Sequence, residues 1–313
     1  MAALLLALSL AGAPRPAARP VAVLVPGTLN YAVPGGLTDG PDGEDLKRHP
    51  YFSRAVVEAV EAAGYEAFVV DGLDPLGTLE GNGDKTAAAL RAWYGRRRPA
   101  KDAPVTVVGH SAGGLFALRA AAACRELPVV RVVLVGTPLS GSAVADAVFG
   151  GTPRRAEELL TEFARALPRV DLRGLRQLTA AGVGRFLASV RLPRGLAVTA
   201  VGGSQAPPPS PLQAMDADYL APLWTLTGRL IGVESDGLVQ VESAYAPRQP
   251  LLADDDSVVP VRPLRGLHAR LDHAEQFLDS RIFAALGFRG ASELESRQRA
   301  LYSAVLERAG GSS

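Results

Sequence analysis

Short apolar runs alternate along this chain with stretches in which apolar residues recur at helical spacing. The apolar runs at 21–25, 67–70, 104–108, 129–135 and 196–201 are predicted strands. The stretches at 51–63, 84–94 and 115–123 are predicted helices. Continuously apolar strands need both faces covered, and strands that alternate with helices join into a mostly parallel sheet. The pattern therefore predicts an α/β fold with helices on both faces of the sheet.

The segment 152–190 departs from this alternation because it contains no strand-like run. Its apolar positions Leu159, Leu160, Phe163 and Leu167 recur on one face of a helix, and a second helical stretch follows from Leu172. We interpret the segment as a helical insertion over one end of the sheet. A mobile lid that uncovers an apolar site and a fixed helical cap both fit this pattern, and the sequence leaves the two open.

The stretch VTVVGHSAGGL, residues 105–115, passes from a predicted strand into a predicted helix without a linker. Gly109, Ser111 and Gly113 fit the pattern G-x-S-x-G, in which a sharp turn exposes a serine hydroxyl at the end of a sheet. Only small residues fit on either side, because the turn crowds the backbone. Ser111 is the predicted nucleophile, and a glycine-rich turn with an incidental serine is the alternative. The stretch lacks the G-x-x-x-x-G-K-[ST] pattern of a phosphate-binding loop.

A serine nucleophile needs a base, and the chain has four histidines. His49 precedes the serine, contrary to the chain order serine, acid, histidine that accompanies this turn. His110 is adjacent to Ser111, and we expect it to point away on the turn. His273 is followed by a helix-like run, so it lies at a predicted loop-to-helix junction, a usual place for a loop-borne base. We predict His273 as the base and keep His268 as the alternative.

The acid that orients the base should lie between the serine and the histidine in the chain. Asp236 is the predicted acid, because Asp236 and Gly237 form a turn signal at a predicted strand end. The alternative is that Asp236 is a turn residue only. The aspartates at 254–256 are interpreted as a solvated loop, and Asp216 and Asp218 lie earlier and resemble a strand end less.

An oxyanion formed during acyl transfer needs backbone N–H donors. One donor is expected from Ala112, the residue after the nucleophile. The other is expected from Thr28, in the loop after the first predicted strand. Gly27 precedes Thr28 and allows the backbone to approach closely, and the Thr28 hydroxyl is available as a further donor.

Composition narrows the choice of function without selecting one. The 313 residues are 48% hydrophobic, enough for a large core, and a formal net charge of +1 gives no basis for nucleic-acid binding. The single cysteine, Cys124, excludes an intrachain disulfide. After the N-terminus there is no apolar run long enough for a membrane span.

The N-terminus resembles a secretory signal peptide. An apolar stretch ends in the small residues Ala11, Gly12 and Ala13, and a proline-rich spacer follows. We therefore predict a leader and spacer over 1–20, one domain over 21–313, and a secreted or periplasmic protein. A cytoplasmic protein with an apolar N-terminal arm is the alternative.

These residues together resemble the α/β-hydrolase superfamily and, within it, the bacterial secreted triacylglycerol lipases. The resemblance covers most of 21–308 and rests on PYFSRAVVEAVEAAGYEAFVVD, VVGHSAGG, VLVGTPLSGSAVAD, SPLQAMD, SDGLV and LDHAEQ. It implies an α/β-hydrolase fold in which Ser111, Asp236 and His273 match the family's nucleophile, acid and base, and the helical insertion matches its lid. The chain departs from the family at Pro26, where histidine is usual, and at Ser235, where asparagine is usual.

The resemblance also implies a reaction and a metal site. It implies a carboxylic-ester hydrolase, of the lipase kind, that acts on an ester or lipid substrate, contacts a lipid surface transiently and needs no cofactor for its chemistry. A short-chain esterase, a polyester depolymerase, an acyltransferase and a non-catalytic binding protein are the alternatives. The family's structural calcium site would correspond here to Asp216 and Glu275.

Overall fold

The computed structural model describes residues 19–28, 51–74, 76–97, 103–150, 157, 161, 172–204, 227–228, 231–267, 271–280 and 291–310. Within these residues, no helix combines the length and the apolar character that crossing a membrane requires. The predicted signal peptide lies outside them except for the last residues of its spacer, so export stays a prediction.

A six-stranded sheet forms the centre of the fold, and every pairing described within it is parallel. Its strands are β1 (Val21–Val25), β2 (Glu66–Val69), β3 (Val105–His110), β4 (Val129–Val135), β6 (Ala197–Val201) and β9 (Val261–Pro263), in the order β2-β1-β3-β4-β6-β9. A smaller sheet contains β5 (Arg191–Leu192), β7 (Leu251–Ala253) and β8 (Val258–Val259). The predicted parallel sheet is confirmed, and all five predicted strands belong to it.

The helices are α1 (Arg54–Ala62), α2 (Leu79–Arg97), α3 (Ala112–Ala123), α4 (Ala143–Gly150), α5 (Ala180–Ser189), α6 (Val241–Tyr245) and α7 (Ala291–Gly310), with 3-10 turns at Leu172–Leu178 and Arg265–Leu267. Helix α2 begins before the predicted residue 84, because glycines at its start hide the helical pattern. One of them, Gly83, has a structural reason: a Cβ atom there would lie 2.4 Å from Cγ of Arg119 on α3. The glycine therefore lets α2 approach α3 closely.

Both faces of the sheet are covered, which explains why its strands are continuously apolar. In β1, Val21, Val23 and Val25 belong to a core shared with α2 and α3. The alternate residues Ala22 and Leu24 belong to a second core shared with α1 and α7. Adjacent residues of one strand thus contribute to different cores, as the two-residue period of a strand requires.

The strand order changes direction between β1 and β3. From β1 the chain moves outward to β2 and then returns across β1 to β3. In open parallel sheets, ligands bind beyond the carboxyl ends of the strands at such a reversal. Thr28 follows β1 and Ser111 follows β3, so both lie at this point.

The second half of the predicted insertion is built into the core. Leu175, Leu178, Val183, Phe186 and Leu187 are all buried in the cluster that covers one face of the sheet. Helix α5 begins at an ordinary cap, in which the Thr179 hydroxyl accepts the N–H of Gly182 at 3.2 Å. The first predicted helical face, with Leu159, Leu160, Phe163 and Leu167, lies outside the described residues.

The aspartates at 254–256 occupy the loop between β7 and β8, on the surface, as predicted. Each one pairs with an arginine: Arg125 with Asp254 at 2.7 Å, Arg194 with Asp255 at 3.6 Å, and Arg191 with Asp256 at 3.4 Å. Exposed ion pairs of this kind stabilise a fold by about 0–1 kcal/mol each. These ion pairs account for the cluster of aspartates in this loop.

Candidate active site

Ser111 lies at a strained turn between β3 and α3. Its φ of 56° and ψ of −134° are unusual for a residue with a side chain. A Cβ atom at Gly109 would lie 2.4 Å from the carbonyl oxygen of Gly113, and one at Gly113 would lie 2.2 Å from that of Val25. No side chain fits at such distances. The glycines of the motif are therefore steric requirements of the turn that presents the serine.

The structure brings Ser111, His273 and Asp236 together in one hydrogen-bonded line. The Ser111 Oγ atom lies 2.9 Å from Nε2 of His273, and Nδ1 of His273 lies 2.8 Å from Oδ2 of Asp236. The side chains of His273 and Asp236 are 2% and 1% exposed, so little water competes for these bonds. His268, the alternative base, lies outside the described residues, as does His49.

Asp236 uses its two carboxylate oxygens for different purposes. Oδ1 accepts the N–H groups of Leu238 and Val239 at 3.0 and 2.8 Å, which closes a turn that passes through Gly237 at a φ of +97°. Oδ2 remains for His273. Asp236 thus both closes the Asp-Gly turn and contacts His273. The prediction that Asp236 lies at the end of a strand is wrong. The turn is flanked by a single antiparallel bridge, between Ser235 and Gln240.

His273 lies in a run of turns, and its position is set by the backbone. Its N–H donates to the carbonyl oxygen of Asp236 at 2.8 Å, so the two partners are joined by main chain as well as side chain. The Asp272 carboxylate accepts the N–H groups of Ala274 and Glu275 at 2.8 and 2.7 Å and closes the turn around the histidine. The sequence predicted a helix-like run directly after His273, and this prediction is wrong: residues 274–277 form turns, and 281–290 lie outside the described residues.

Thr28 and Ala112, the predicted oxyanion donors, both adjoin the serine. Thr28 is 7% exposed, and its Oγ1 atom has no hydrogen-bond partner in the described structure. Ala112 is the first residue of α3, where backbone N–H groups lack partners within the helix and carry partial positive charge. A Cβ atom at Gly27 would lie 2.8 Å from Cβ of Ser111, so glycine allows this loop to approach the serine.

A narrow, mostly apolar cavity opens at the serine. Its empty volume is about 330 Å³. It is lined by Thr28, Ser111, Pro138, Ser142, Val144, Ala145, Leu175, Leu178, Leu238, Val239 and His273. The described part of the insertion therefore supplies one wall of the cavity. The arrangement places a hydroxyl, an imidazole and backbone donors at the mouth of an apolar site.

From the sequence we expected His110 to point away on the turn. This expectation is wrong, because its ring lies beside that of His273. Its ring is fully buried, 4.8 Å from the ring of His273, and its Nδ1 atom lies 2.8 Å from the hydroxyl of Tyr51. Burial lowers the pKa of His110 well below its usual value, and the nearby His273 lowers it further. His110 is therefore a neutral part of the site's floor. The adjacency of His110 and Tyr51 has no sequence pattern that could reveal it.

Of the two predicted calcium ligands, Glu275 alone is described, and Asp216 lies outside the described residues. One Glu275 oxygen accepts the N–H of Asp272 at 2.9 Å, and burial raises the pKa of this carboxyl group. In the described part of the chain, no three metal-binding side chains cluster. Glu275 therefore has a structural role of its own, and calcium binding stays a prediction.

Neither a protein-family model nor a curated protein sequence matches this chain. Solved structures do match it. The metagenomic carboxyl esterase MGS0156 has 20% identity and a TM-score of 0.59, over 96% of this chain and 79% of its own. Bacillus licheniformis lipase BlEst2 in its mature form has 21% identity and a TM-score of 0.54, over 87% and 90%. Staphylococcus hyicus lipase has 16% identity and a TM-score of 0.54, over 95% and 98%.

These likenesses show the fold. The chain has an α/β-hydrolase fold, and it resembles bacterial lipases and esterases. The identities are too low to carry an activity from one protein to another, since one fold supports many functions.

Proposed function

We propose that this protein is a serine hydrolase of carboxylic esters, of the lipase kind. The observation that carries the proposal is the contact of 2.9 Å between the Ser111 hydroxyl and the imidazole of His273, at a strained turn beside an apolar cavity. A serine hydroxyl becomes a nucleophile when an oriented base can take its proton. The lipases and the esterase with the same fold support this choice.

In the first half of the reaction, Ser111 Oγ attacks the ester carbonyl carbon as Nε2 of His273 takes the hydroxyl proton. The tetrahedral intermediate then collapses, the bond to the alcohol oxygen breaks, and the imidazolium returns the proton to the leaving alcohol. The acyl group remains on Ser111. In the second half, water attacks this acyl-enzyme through the same base, and Ser111 is released with the carboxylic acid.

Each supporting group acts where charge develops. The backbone N–H groups of Ala112 and Thr28 would stabilise the oxyanion, and the Thr28 hydroxyl, which has no partner among the described residues, would add a further donor. Asp236 keeps the proton of neutral His273 on Nδ1, so that Nε2 is free to accept, and it stabilises the imidazolium when that forms. Burial strengthens both interactions, because the local dielectric is low.

The lining and the volume of the cavity indicate which substrates suit it. Its lining is mainly aliphatic, which suits an acyl chain, and its volume is small, at most about 330 Å³ with the space open to solvent included. The apolar lining fits an acylglycerol lipase that contacts a lipid surface. Separately, we infer from the N-terminal residues that the protein is secreted. The small volume specifically favours the second candidate, a short-chain carboxylesterase.

Two measurements test the proposal. A fluorophosphonate probe should label wild-type protein at Ser111 and leave Ser111→Ala unlabelled, whereas a binding protein would not react. A series of nitrophenyl esters of increasing chain length, extended to emulsified triglyceride, should then separate a lipase from a short-chain esterase. Absence of labelling together with absence of ester hydrolysis would overturn the proposal.

A further inference from the structure

Gln276, three positions after His273, contacts the acid of the site. Its Nε2 atom donates to Oδ2 of Asp236 at 2.9 Å. This is the same oxygen that lies 2.8 Å from Nδ1 of His273. Gln276 is 1% exposed, so the bond is shielded from water. Oδ2 thus has two side-chain donors, while Oδ1 accepts the backbone of its own turn.

The amide of Gln276 occupies a slot formed by two glycines. A Cβ atom at Gly136, just after β4, would lie 2.5 Å from its Oε1 atom. A Cβ atom at Gly203, after β6, would lie 2.1 Å from its Nε2 atom. Any other residue at either position would displace the amide or the adjoining carboxylate. The carboxyl ends of β4 and β6 are therefore shaped to hold this side chain.

The site also determines which way the amide faces. Burial raises the pKa of Tyr51 well above its usual value and lowers that of His110, so both groups are neutral near pH 7. The Tyr51 hydroxyl, which receives the backbone N–H of Gly27, then donates to Nδ1 of His110 and leaves the imidazole proton on Nε2. The side chain of Gln276 raises the pKa of His110, although in the described structure neither Nε2 of His110 nor Oε1 of Gln276 has a hydrogen-bond partner. The ionised carboxylate of Asp236 can only accept a hydrogen bond, so the amide presents its N–H group to Oδ2.

We propose that Gln276 is a positioning residue for the acid: it holds Oδ2 of Asp236 in line with His273 and shares the negative charge of that oxygen. The proposal rests on the proposed function, because it assigns Gln276 to the same reaction. Polar partners that orient the groups of a site in this way have large effects on activity without touching the substrate.

The proposal makes a directional prediction for Gln276→Met, which keeps the length of the side chain and removes its donor. Without the amide, Oδ2 is less neutralised and binds the imidazolium of His273 more strongly. The acid limb of the kcat/KM profile, which reports protonation of the free enzyme's base, should move to higher pH. A shift on the order of one pH unit corresponds to one hydrogen bond to a charged group. We expect kcat to fall about 10–100-fold, with KM little changed.

Other titratable groups do not produce the same shift. Those on the elements packed against the pair are His110, Tyr51, Glu234, Asp272 and Glu275. The side chain of Gln276 raises the pKa of His110, so the substitution lowers this pKa further and moves it away from the measured range. The remaining four keep their side chains and their charges. An upward shift of the acid limb therefore reports on the carboxylate of Asp236.

Gln298→Met is the matched control. Gln298 is a buried glutamine of α7 whose Nε2 atom donates to the carbonyl oxygens of Glu275 and Leu278 at 2.8 and 2.9 Å. It holds the same loop but does not contact Asp236. Its substitution should lower the melting temperature, and any loss of activity should leave the pH profile in place.

The results of these experiments distinguish a failure of the role proposed for Gln276 from a failure of the proposed function. A profile for Gln276→Met that matches wild type in its pH dependence, like that of Gln298→Met, would show that Gln276 only fills space. If wild type hydrolyses no ester, the proposed function fails; the pH dependence of fluorophosphonate labelling at Ser111 then tests Gln276, because labelling needs the base but no substrate. If Ser111 is not labelled either, both proposals fall. Thermal unfolding of each variant establishes that it is folded.

Discussion

Ser111, the proposed nucleophile, has a strained backbone conformation. A residue with a side chain in such a conformation costs about 1–3 kcal/mol, which the surrounding structure has to offset. Part of this support is visible, since the Ser111 N–H donates to the carbonyl oxygen of Val135 at 2.9 Å. The strain points the hydroxyl out of the turn toward His273. The conformation therefore belongs to the candidate site rather than to the stability of the fold.

At the same scale, we predict that Ser111→Ala, Asp236→Asn and His273→Ala each leave a folded protein with little esterase activity. The three act as a unit, so each should lower kcat by about 10⁴–10⁶, and the double variant Ser111→Ala, His273→Ala should be little worse than either single one. Nitrophenyl ester kinetics measure this. His268→Ala serves as the control and should be much milder; if it were the inactive variant, the base has been wrongly assigned.

Thr28→Val removes the hydroxyl of Thr28, a proposed oxyanion donor, and keeps its backbone N–H. If the hydroxyl donates to the oxyanion, kcat should fall by up to about 10²–10³ while KM changes little. Thr137→Val is a matched control, because the Thr137 hydroxyl is also buried and unpartnered in the described structure. That hydroxyl faces Gly114 of α3 rather than the cavity. Equal losses in both variants would mean that Thr28 acts through packing.

At the scale of elements, the strand-to-helix turn depends on contacts that only glycine permits. Gly113→Ala would place Cβ 2.2 Å from the carbonyl oxygen of Val25, so β1 and α3 would have to separate. We expect at least about 1–3 kcal/mol of destabilisation, the usual cost of overpacking a core. Gly184→Ala is the control: no atom lies within 4 Å of the new Cβ, and a helical alanine should stabilise α5 by about 0.5–1 kcal/mol. Chemical denaturation of both variants would distinguish them, and equal stability would refute the steric argument.

The helical insertion carries a prediction about lipid surfaces. A mobile lid would expose apolar surface on an emulsion, so specific activity should rise when a soluble ester passes its solubility limit. In the described second half of the insertion, Leu175 and Leu178 belong to the hydrophobic core and also line the cavity. A lid movement that included this half would therefore break core contacts. Activity against substrate concentration measures this. A plain hyperbola through the solubility limit would support the fixed cap.

At the scale of the whole molecule, calcium binding predicts a change in stability. An ion that binds only the folded protein raises its melting temperature by mass action. Wild type should therefore melt higher in excess calcium than in chelator, and Asp216→Ala should abolish the difference. Identical unfolding curves in all four conditions would exclude the calcium site and leave the proposed catalytic residues untouched.

Much of the fold could be predicted because its rules are local. Continuous apolar runs predicted five strands of the central sheet, and the spacing of glycines around Ser111 predicted the turn. Both depend on sterics and burial over a few residues, which a sequence displays directly. Strands β5, β7, β8 and β9 were not predicted, since two or three residues are too few to form a pattern.

The arrangement around the acid was decided by the tertiary structure. The sequence selected Asp236 and His273 by type and chain order, but it could not show that the two oxygens of Asp236 serve different partners. It also could not show that Gln276 would enter a slot between Gly136 and Gly203, at the ends of strands far apart in the chain. Parallel strands bring such distant residues to one edge of a sheet, and burial then makes each hydrogen bond there consequential.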